Sequence, residues 1–298
     1  MNPMFEFRNV SRSFGAQHVL NNVSFAGQPG SVIALLGENG AGKTTTIRIL
    51  LGLLEPDGGS ARVFGLDSWE FGDTIRRRVG YVPDRPALYD WMTVDEIGWF
   101  CAGFYSRDFI PNYRRIVTQF GLPLSKKIGT MSKGMKAKVN LALATAHEPE
   151  LLIMDEPTSG LDPIVRRDFM ESMIDVAAQG RTVFLSSHQI PEVERVADVI
   201  AIIKDGALVL WEPMDEIKQR TRILTVNAVN GATTAPSLPG QVVHTERHER
   251  QWRFLLRDLN EDRLDVLRSN EHFTAVEIRQ PTLEEIYVGF MQGQPTAE

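Results

Sequence analysis

One cysteine, Cys101, stands alone among 298 residues, so no internal disulfide can form. The fold must hold without covalent staples, which suits a reducing compartment. Long hydrophobic runs are missing as well. The longest are about five to seven residues, against the roughly 18 to 20 needed to span a bilayer, so a membrane role is expected to come through another chain. The start, Met1 to Glu6, has no basic stretch leading into an apolar core, and no secretory signal is expected. Excess positive charge is absent too. The net charge of −6 and pI of about 5.6 argue against a nucleic-acid partner held by bulk charge. Tandem repeats and sustained heptads are not seen.

What is present is ample apolar content, 43% of residues. It is enough for one large domain, or a domain of about 200 residues plus a smaller one. The most informative stretch is Gly37-Glu38-Asn39-Gly40-Ala41-Gly42-Lys43-Thr44, which fits the phosphate-loop pattern G-x-x-x-x-G-K-[ST]. The apolar run Val32–Leu36 before it reads as a buried strand, and Thr44–Leu51 after it reads as a helix. Glycines let the loop curl so that backbone N–H groups face phosphate oxygens. The helix start adds unpaired donors and the positive dipole end. Lys43 brings a point charge to the phosphates, and the Thr44 hydroxyl is placed for Mg²⁺. The motif alone says nucleoside triphosphate and no more.

Upstream, residues 4–10 and 19–25 alternate and read as antiparallel strands. Ser13-Phe14-Gly15 reads as the turn between them, its aromatic either core or a platform for a base. Downstream, Pro56–Ser60 is a turn cluster and Ala61–Phe64 a short strand. Thr74–Arg78 is basic and reads as a solvated helix face. Val79–Asp84 is a strand ending in a carboxylate. From Thr93 to about Leu143 the spacing turns helical, with Met131-Ser132-Lys133-Gly134-Met135 ahead of the last helix. This predicts a helical insert in an α/β body.

Leu151-Leu152-Ile153-Met154-Asp155-Glu156 is an apolar strand ending in two acids. Ligands in open α/β sheets sit beyond the carboxyl ends of strands, so Asp155 is placed to hold Mg²⁺ opposite Thr44. Neighbouring strand residues face opposite ways, so Glu156 should serve a different role, reaching the terminal phosphate and a water. Arg181–His188 is a strand of the same kind ending in a histidine, expected at the same edge. Ile190–Asp198 reads as a helix. Strands Val199–Ile203 and Ala207–Trp211 are joined by Lys204-Asp205-Gly206, a hairpin signal.

From about Arg222 the composition changes. Ile223–Val229 alternates, and residues 230–240 are rich in Gly, Thr, Ser and Pro. Gln241–Leu256 reads as a hairpin, Leu259–Ser269 as a helix and Phe273–Ile278 as a strand. Pro281–Met291 reads as a helix with Pro281 in its first turn. The cluster His244, Glu246, His248, Glu249 fits an exposed alternating strand better than a metal site.

Phosphate loop, acid pair, strand-ending histidine and the Ser132–Met135 segment occur here together and in order. As a set they resemble the ATPase subunit of ATP-binding-cassette (ABC) transporters, over about residues 4–220. The resemblance implies a P-loop NTPase core of the α/β class with an N-terminal antiparallel β subdomain, the helical insert over about 90–145, and an appended α+β domain. It divides the chain into 1–220 and 221–298. Gly37 to Thr45 resembles the Walker A loop, and Leu151–Glu156 resembles Walker B with Glu156 as the catalytic carboxylate. Ser159–Asp162 resembles the D-loop, with Asp162 at the nucleotide. His188 resembles the switch histidine, and Phe14 the aromatic that stacks on adenine. Ser132, Lys133, Gly134 and Met135 stand where the family has its Leu-Ser-Gly-Gly-Gln signature, keeping the serine and the second glycine. Asp84 stands where a metal-holding glutamine is usual.

The implied cofactors are ATP and Mg²⁺. The implied partners are a second cassette chain, as homodimer or heterodimer, and a separate integral membrane permease. Its cytoplasmic helix would be received by the surface around Asp84 to Glu96 and the helical insert, where Trp91, Trp99 and Phe100 are either docking residues or core. The signature, Asp84 and the appended domain together are similar to bacterial exporters with an ABC-2 type permease. The protein would then sit on the cytoplasmic face of the membrane. An alternative is a soluble cassette ATPase acting on ribosomes or DNA. The single cassette and the missing coiled coil favour transport. A regulator that binds ATP without cleaving it is disfavoured by the presence of both Glu156 and His188.

Overall fold

The computed structural model describes residues 2–105, 107–178, 180–229, 235–260 and 272–293. The chain divides into two compact units, Met1–Leu208 and Val209–Glu298. The division falls inside a strand, ahead of the composition change near Arg222.

In the first unit, β1 (Phe5–Phe14), β2 (Gln17–Gly27), β4 (Gly58–Val63) and β5 (Leu66–Asp67) form an antiparallel sheet in the order β2-β1-β4-β5. The strands run longer than their alternating centres predict. Phe14 therefore ends β1, and the turn falls at Gly15 and Ala16. A second sheet has the order β10-β9-β3-β8-β7-β6, built from β3 (Val32–Leu36), β6 (Val79–Val82), β7 (Leu151–Asp155), β8 (Thr182–Ser187), β9 (Val199–Lys204) and β10 (Ala207–Pro213). Its inner pairs are parallel. Strands β3, β7 and β8 are buried along their whole length, which explains unbroken apolar runs in place of alternation. The turn at Asp205 and Gly206 has φ of 49° and 78°, the left-handed pair that a two-residue hairpin requires. The two sheets meet through aromatics. Phe5 and Phe184 pack edge to face at 5.0 Å, and Phe25 lies between Phe7 and Phe184.

Helix α1 (Lys43–Leu50) follows β3, and α2 (Gly72–Arg76) precedes β6. The helical insert holds α3 (Val94–Ala102), α4 (Phe109–Gln119), a 3₁₀ turn at Ile128–Thr130 and α5 (Lys133–Thr145). Thr93 and Glu96 form a capping box that starts α3. The insert has its own core of Val94, Ile97, Phe109, Tyr113, Val117, Ile128 and Val139. Tyr113 is fully buried and donates its hydroxyl to the Val94 carbonyl at 2.8 Å. Gly98 lets that ring approach: a Cβ there would sit 2.2 Å from Tyr113 Cε1. Helix α6 (Pro163–Ala177), not among the helices expected from the sequence, follows the polar turn at Ser159–Asp162, and α7 (Ile190–Val196) follows β8.

In the second unit, α8 (Met214–Arg220) leads into a sheet of order β12-β13-β11-β14, made of β11 (Thr221–Ala228), β12 (Gln241–His248), β13 (Gln251–Arg257) and β14 (Phe273–Arg279). Arg220 grips Asp258 through two hydrogen bonds of 2.8 Å and reaches Glu212 at 3.1 Å. The final helix, α9 (Leu283–Gln292), is capped by Thr282 with Glu285. Pro281 therefore precedes the cap and is not in the first turn: the Thr282 hydroxyl takes the Glu285 N–H, fixing the start two residues later, at Leu283. His244 and Glu246 share a face of β12 at 3.5 Å. The helix expected at Leu259–Ser269 lies almost wholly outside the described residues. Among the described residues no helix is long and apolar enough to cross a membrane.

Gly98→Ala should overpack the insert against Tyr113 and lower stability by about 1–3 kcal/mol. Chemical denaturation of the wild type and the variant checks it; equal midpoints would mean the ring can step aside.

Candidate active site

The phosphate loop leaves β3 and closes onto α1 as its sequence demands. Gly42 caps the helix with φ of 107°. A side chain there would strike Leu20 Cδ2 at 2.7 Å and the Val19 carbonyl at 2.8 Å. Gly37 meets the Ile203 carbonyl of β9 just as closely, at 2.7 Å. Lys43, the first residue of α1, is 6% exposed. Its ammonium donates to the carbonyls of Gly37 and Glu38 at 2.7 and 3.1 Å, and lies 3.1 Å from Glu156 Oε1.

Parallel pairing of β3, β8 and β7 brings their carboxyl ends to one edge. Asp155 ends β7 and is buried. Its Oδ2 accepts from the Thr44 hydroxyl at 2.8 Å, and its Oδ1 from the Ser186 hydroxyl at 2.7 Å. Hydroxyl and carboxylate oxygens together are the hard donor set that Mg²⁺ takes, so these residues fit such an ion. Behind them, burial and then the Asp155 charge push the Tyr81 phenol up to about 12, keeping it neutral.

Glu156 departs from the strand alternation expected of it. Its φ is 47°, a left-handed conformation that costs a non-glycine residue about 1–2 kcal/mol. Pro157 disfavours the right-handed alternative. The chain leaves β geometry at this residue, so Glu156 turns to the same edge as Asp155. Its N–H donates to the Ser186 hydroxyl at 3.0 Å and the Ser186 carbonyl at 3.2 Å. His188, just past the end of β8, puts Nδ1 2.6 Å from Glu156 Oε2 and donates its backbone N–H to the same oxygen. Lys43, Glu156 and His188 thus form one chain of contacts.

Phe14 stands half-exposed over the same cleft. Arg12 lies 5.0 Å above its ring and is anchored by Asp57 at 2.5 Å, so one ring face is already taken. The cleft encloses about 380 Å³ and is lined by Phe14, Gln17, Val19, Glu38 to Gly40, Gly42 to Thr45, Asp84 and Glu156. Asp84 is half-exposed, 3.8 Å from Arg85.

The Ser132, Lys133, Gly134, Met135 segment and Asp162 do not line this cleft. Ser132 caps α5, taking the Met135 N–H at 3.3 Å. Gly134 has a packing duty: a Cβ there would lie 2.1 Å from Val165 Cγ1 of α6. Ser132, Lys133 and Asp162 are exposed. Five participants were missed in the sequence. Val19 read only as a strand residue and Gln17 fell between the expected strands, while Arg12 and Asp57 lie 45 residues apart. Ser186 reads as one more member of a strand; its place two residues before His188 was the available signal.

A family model described as "ABC transporter" matches residues 20–159. The chain is 36% identical to the bacitracin transport ATP-binding protein BcrA of Bacillus licheniformis, over 74% of each chain. It is 36% identical to the Nod factor export ATP-binding protein I of Burkholderia lata, over 67% of this chain and 68% of that one. A solved structure of an ATP-binding subunit of an ABC transporter aligns with a TM-score of 0.66 at 34% identity, covering 72% of this chain and 92% of the other.

Two loop glycines separate strain from collision. Gly40, with φ of 86°, has open space around its Cβ position, whereas Gly42 does not. Gly42→Ala should lower nucleotide affinity far more than Gly40→Ala, in a titration with a fluorescent ATP analogue. Equal losses would mean that backbone strain alone sets the loop.

Proposed function

Since this chain belongs to the ABC transporter family, as an ATP-binding subunit that hydrolyses ATP, we propose that its cleavage of Mg-ATP at the β3–β7–β8 edge drives a separate membrane permease in the direction of export. The observation that carries the site assignment is the contact chain Lys43–Glu156–His188 beside the Thr44–Asp155 pair. The export direction is supported by relatives named for bacitracin transport and Nod factor export.

In this reading the loop N–H groups and Lys43 take the phosphates, and the free face of Phe14 takes the base. Thr44 and Asp155 would hold Mg²⁺, with Asp84 close by in the cleft. The ion supplies charge neutralisation on the phosphate oxygens. Glu156 accepts a proton from the attacking water, whose oxygen bonds to the terminal phosphorus as the bond to ADP breaks. Such general-base help is typically worth about 10² to 10⁴ in rate. The Glu156 carboxylate lies 3.1 Å from Lys43, the cation the phosphate needs. Phosphate binding would take over Lys43 and release the carboxylate, with His188 keeping it aimed.

Ser132, Lys133, Gly134 and Asp162 face solvent or α6, away from this cleft. They are available to a nucleotide held by a second cassette, which supports a head-to-tail pair of chains joined by ATP. Tyr89, Trp91, Trp99, Phe100 and Phe104 are exposed on or beside the helical insert, Trp91 by 67% and Trp99 by 73%. Tyr89 touches both Trp91 and Phe100, and Phe100 touches Phe104. A contiguous aromatic patch such as Tyr89, Trp91, Phe100 and Phe104 marks an interaction surface, and it supports docking of the permease there. The unit from Val209 onward is taken as accessory, supporting regulation or pairing.

Glu156→Gln should bind Mg-ATP, stall, and run as a dimer by size exclusion with light scattering, but as a monomer in ADP. Adding Ser132→Arg should keep it monomeric in both. Wild-type turnover by Glu156→Gln would remove that carboxylate from the chemistry. Separately, Phe14→Ala should weaken ATP binding several-fold while Phe14→Tyr stays near wild type, since stacking needs only a planar ring. Equal affinities in all three proteins would refute the stacking.

A further inference from the structure

The two acids at the end of β7 are held by one neighbour. Ser186 of β8 is fully buried, and its side chain does two things at once. Its hydroxyl hydrogen goes to Asp155 Oδ1 at 2.7 Å, and its oxygen accepts the Glu156 N–H at 3.0 Å. The other oxygen of Asp155 is thereby left to face the Thr44 hydroxyl. The Glu156 N–H is clamped where the backbone turns left-handed, the turn that points the carboxylate at Lys43 and His188. Parallel register sets this up, since Asp155 lies directly opposite Ser186. One hydroxyl therefore fixes both the metal-side carboxylate and the water-side carboxylate, and links them through a single hydrogen-bond chain from Thr44 to Glu156.

We infer that Ser186 is a positioning residue for hydrolysis, tying the orientation of Asp155 to the backbone turn that aims Glu156. It touches neither nucleotide nor water and acts through the two acids. The inference rests on the roles proposed above for those acids. Partners of this kind behind a metal ligand commonly change affinity or activity by about 10- to 100-fold.

The experiment uses the full chain and compares Ser186→Ala, Ser186→Thr and Ser186→Val, with Glu156→Gln run in parallel. Thr and Val share a shape and differ only in the hydroxyl. Ala and Val should lower kcat by about 10- to 100-fold and raise the Mg²⁺ concentration needed for half-maximal rate. The KM for ATP and the melting temperature should stay near wild type, and Thr should recover most of the rate. Full kcat and unchanged Mg²⁺ dependence in Ser186→Ala would overturn the inference. So would a Thr variant as slow as Val, or losses of nucleotide affinity and melting temperature that match the loss of rate, because the residue would then only fill space. If Ser186→Ala is fully active while Glu156→Gln is inert, the inference alone fails. If Glu156→Gln is active, the underlying assignment of the base fails.

Discussion

A buried ammonium that must never be left alone organises this molecule. Lys43 is almost wholly removed from water, and two loop carbonyls and Glu156 compensate it. Stripping one partner from a buried ion pair typically costs about 3–5 kcal/mol, so the loop, β3 and the end of β7 cannot drift apart cheaply. The same constraint makes the site responsive. In the proposed mechanism an incoming phosphate would offer Lys43 a new partner and free the carboxylate assigned there as the base. Structural need and chemical readiness are thus two states of one contact.

The sheet makes that contact possible. Parallel strands place Gly37, Asp155 and His188 at one edge although they are far apart in the chain. The aromatic cluster of Phe5, Phe25 and Phe184 fastens the antiparallel sheet to this one, which carries Phe14 to the rim of the same cleft. The helical insert has its own core around Tyr113. It can thus keep its shape while offering a large aromatic surface to another protein.

Much of this was legible in the residues. The phosphate loop, the buried strands and the Asp205–Gly206 turn each depend on local chemistry: glycine where φ is positive, apolar runs where both faces are covered. The limits of that reading are just as physical. Alternation was the reason for giving Glu156 a role apart from Asp155; that premise does not apply, because the strand ends at Asp155 and the chain turns left-handed at Glu156. The position of Ser186 near His188 hinted at the site, but its partners depend on the register between β7 and β8, a non-local property. The pairing of Arg12 with Phe14 and Asp57 depends on the β1–β4 contact in the same way. The start of α9 was placed two residues early, because Pro281 was read into the first turn whereas Thr282 caps the helix. The helix expected at Leu259–Ser269 falls on residues of which almost none is described.

Gly134 answers to two masters. Its hydrogen in place of a side chain is required by Val165 of α6, before any nucleotide is considered. Ser132, on the exposed start of α5, carries no comparable packing debt. A side chain at Gly134 would therefore act first on the seam between α5 and α6, whatever the segment does for a nucleotide. The absence of a side chain at Gly134 is thus a record of helix packing in its own right.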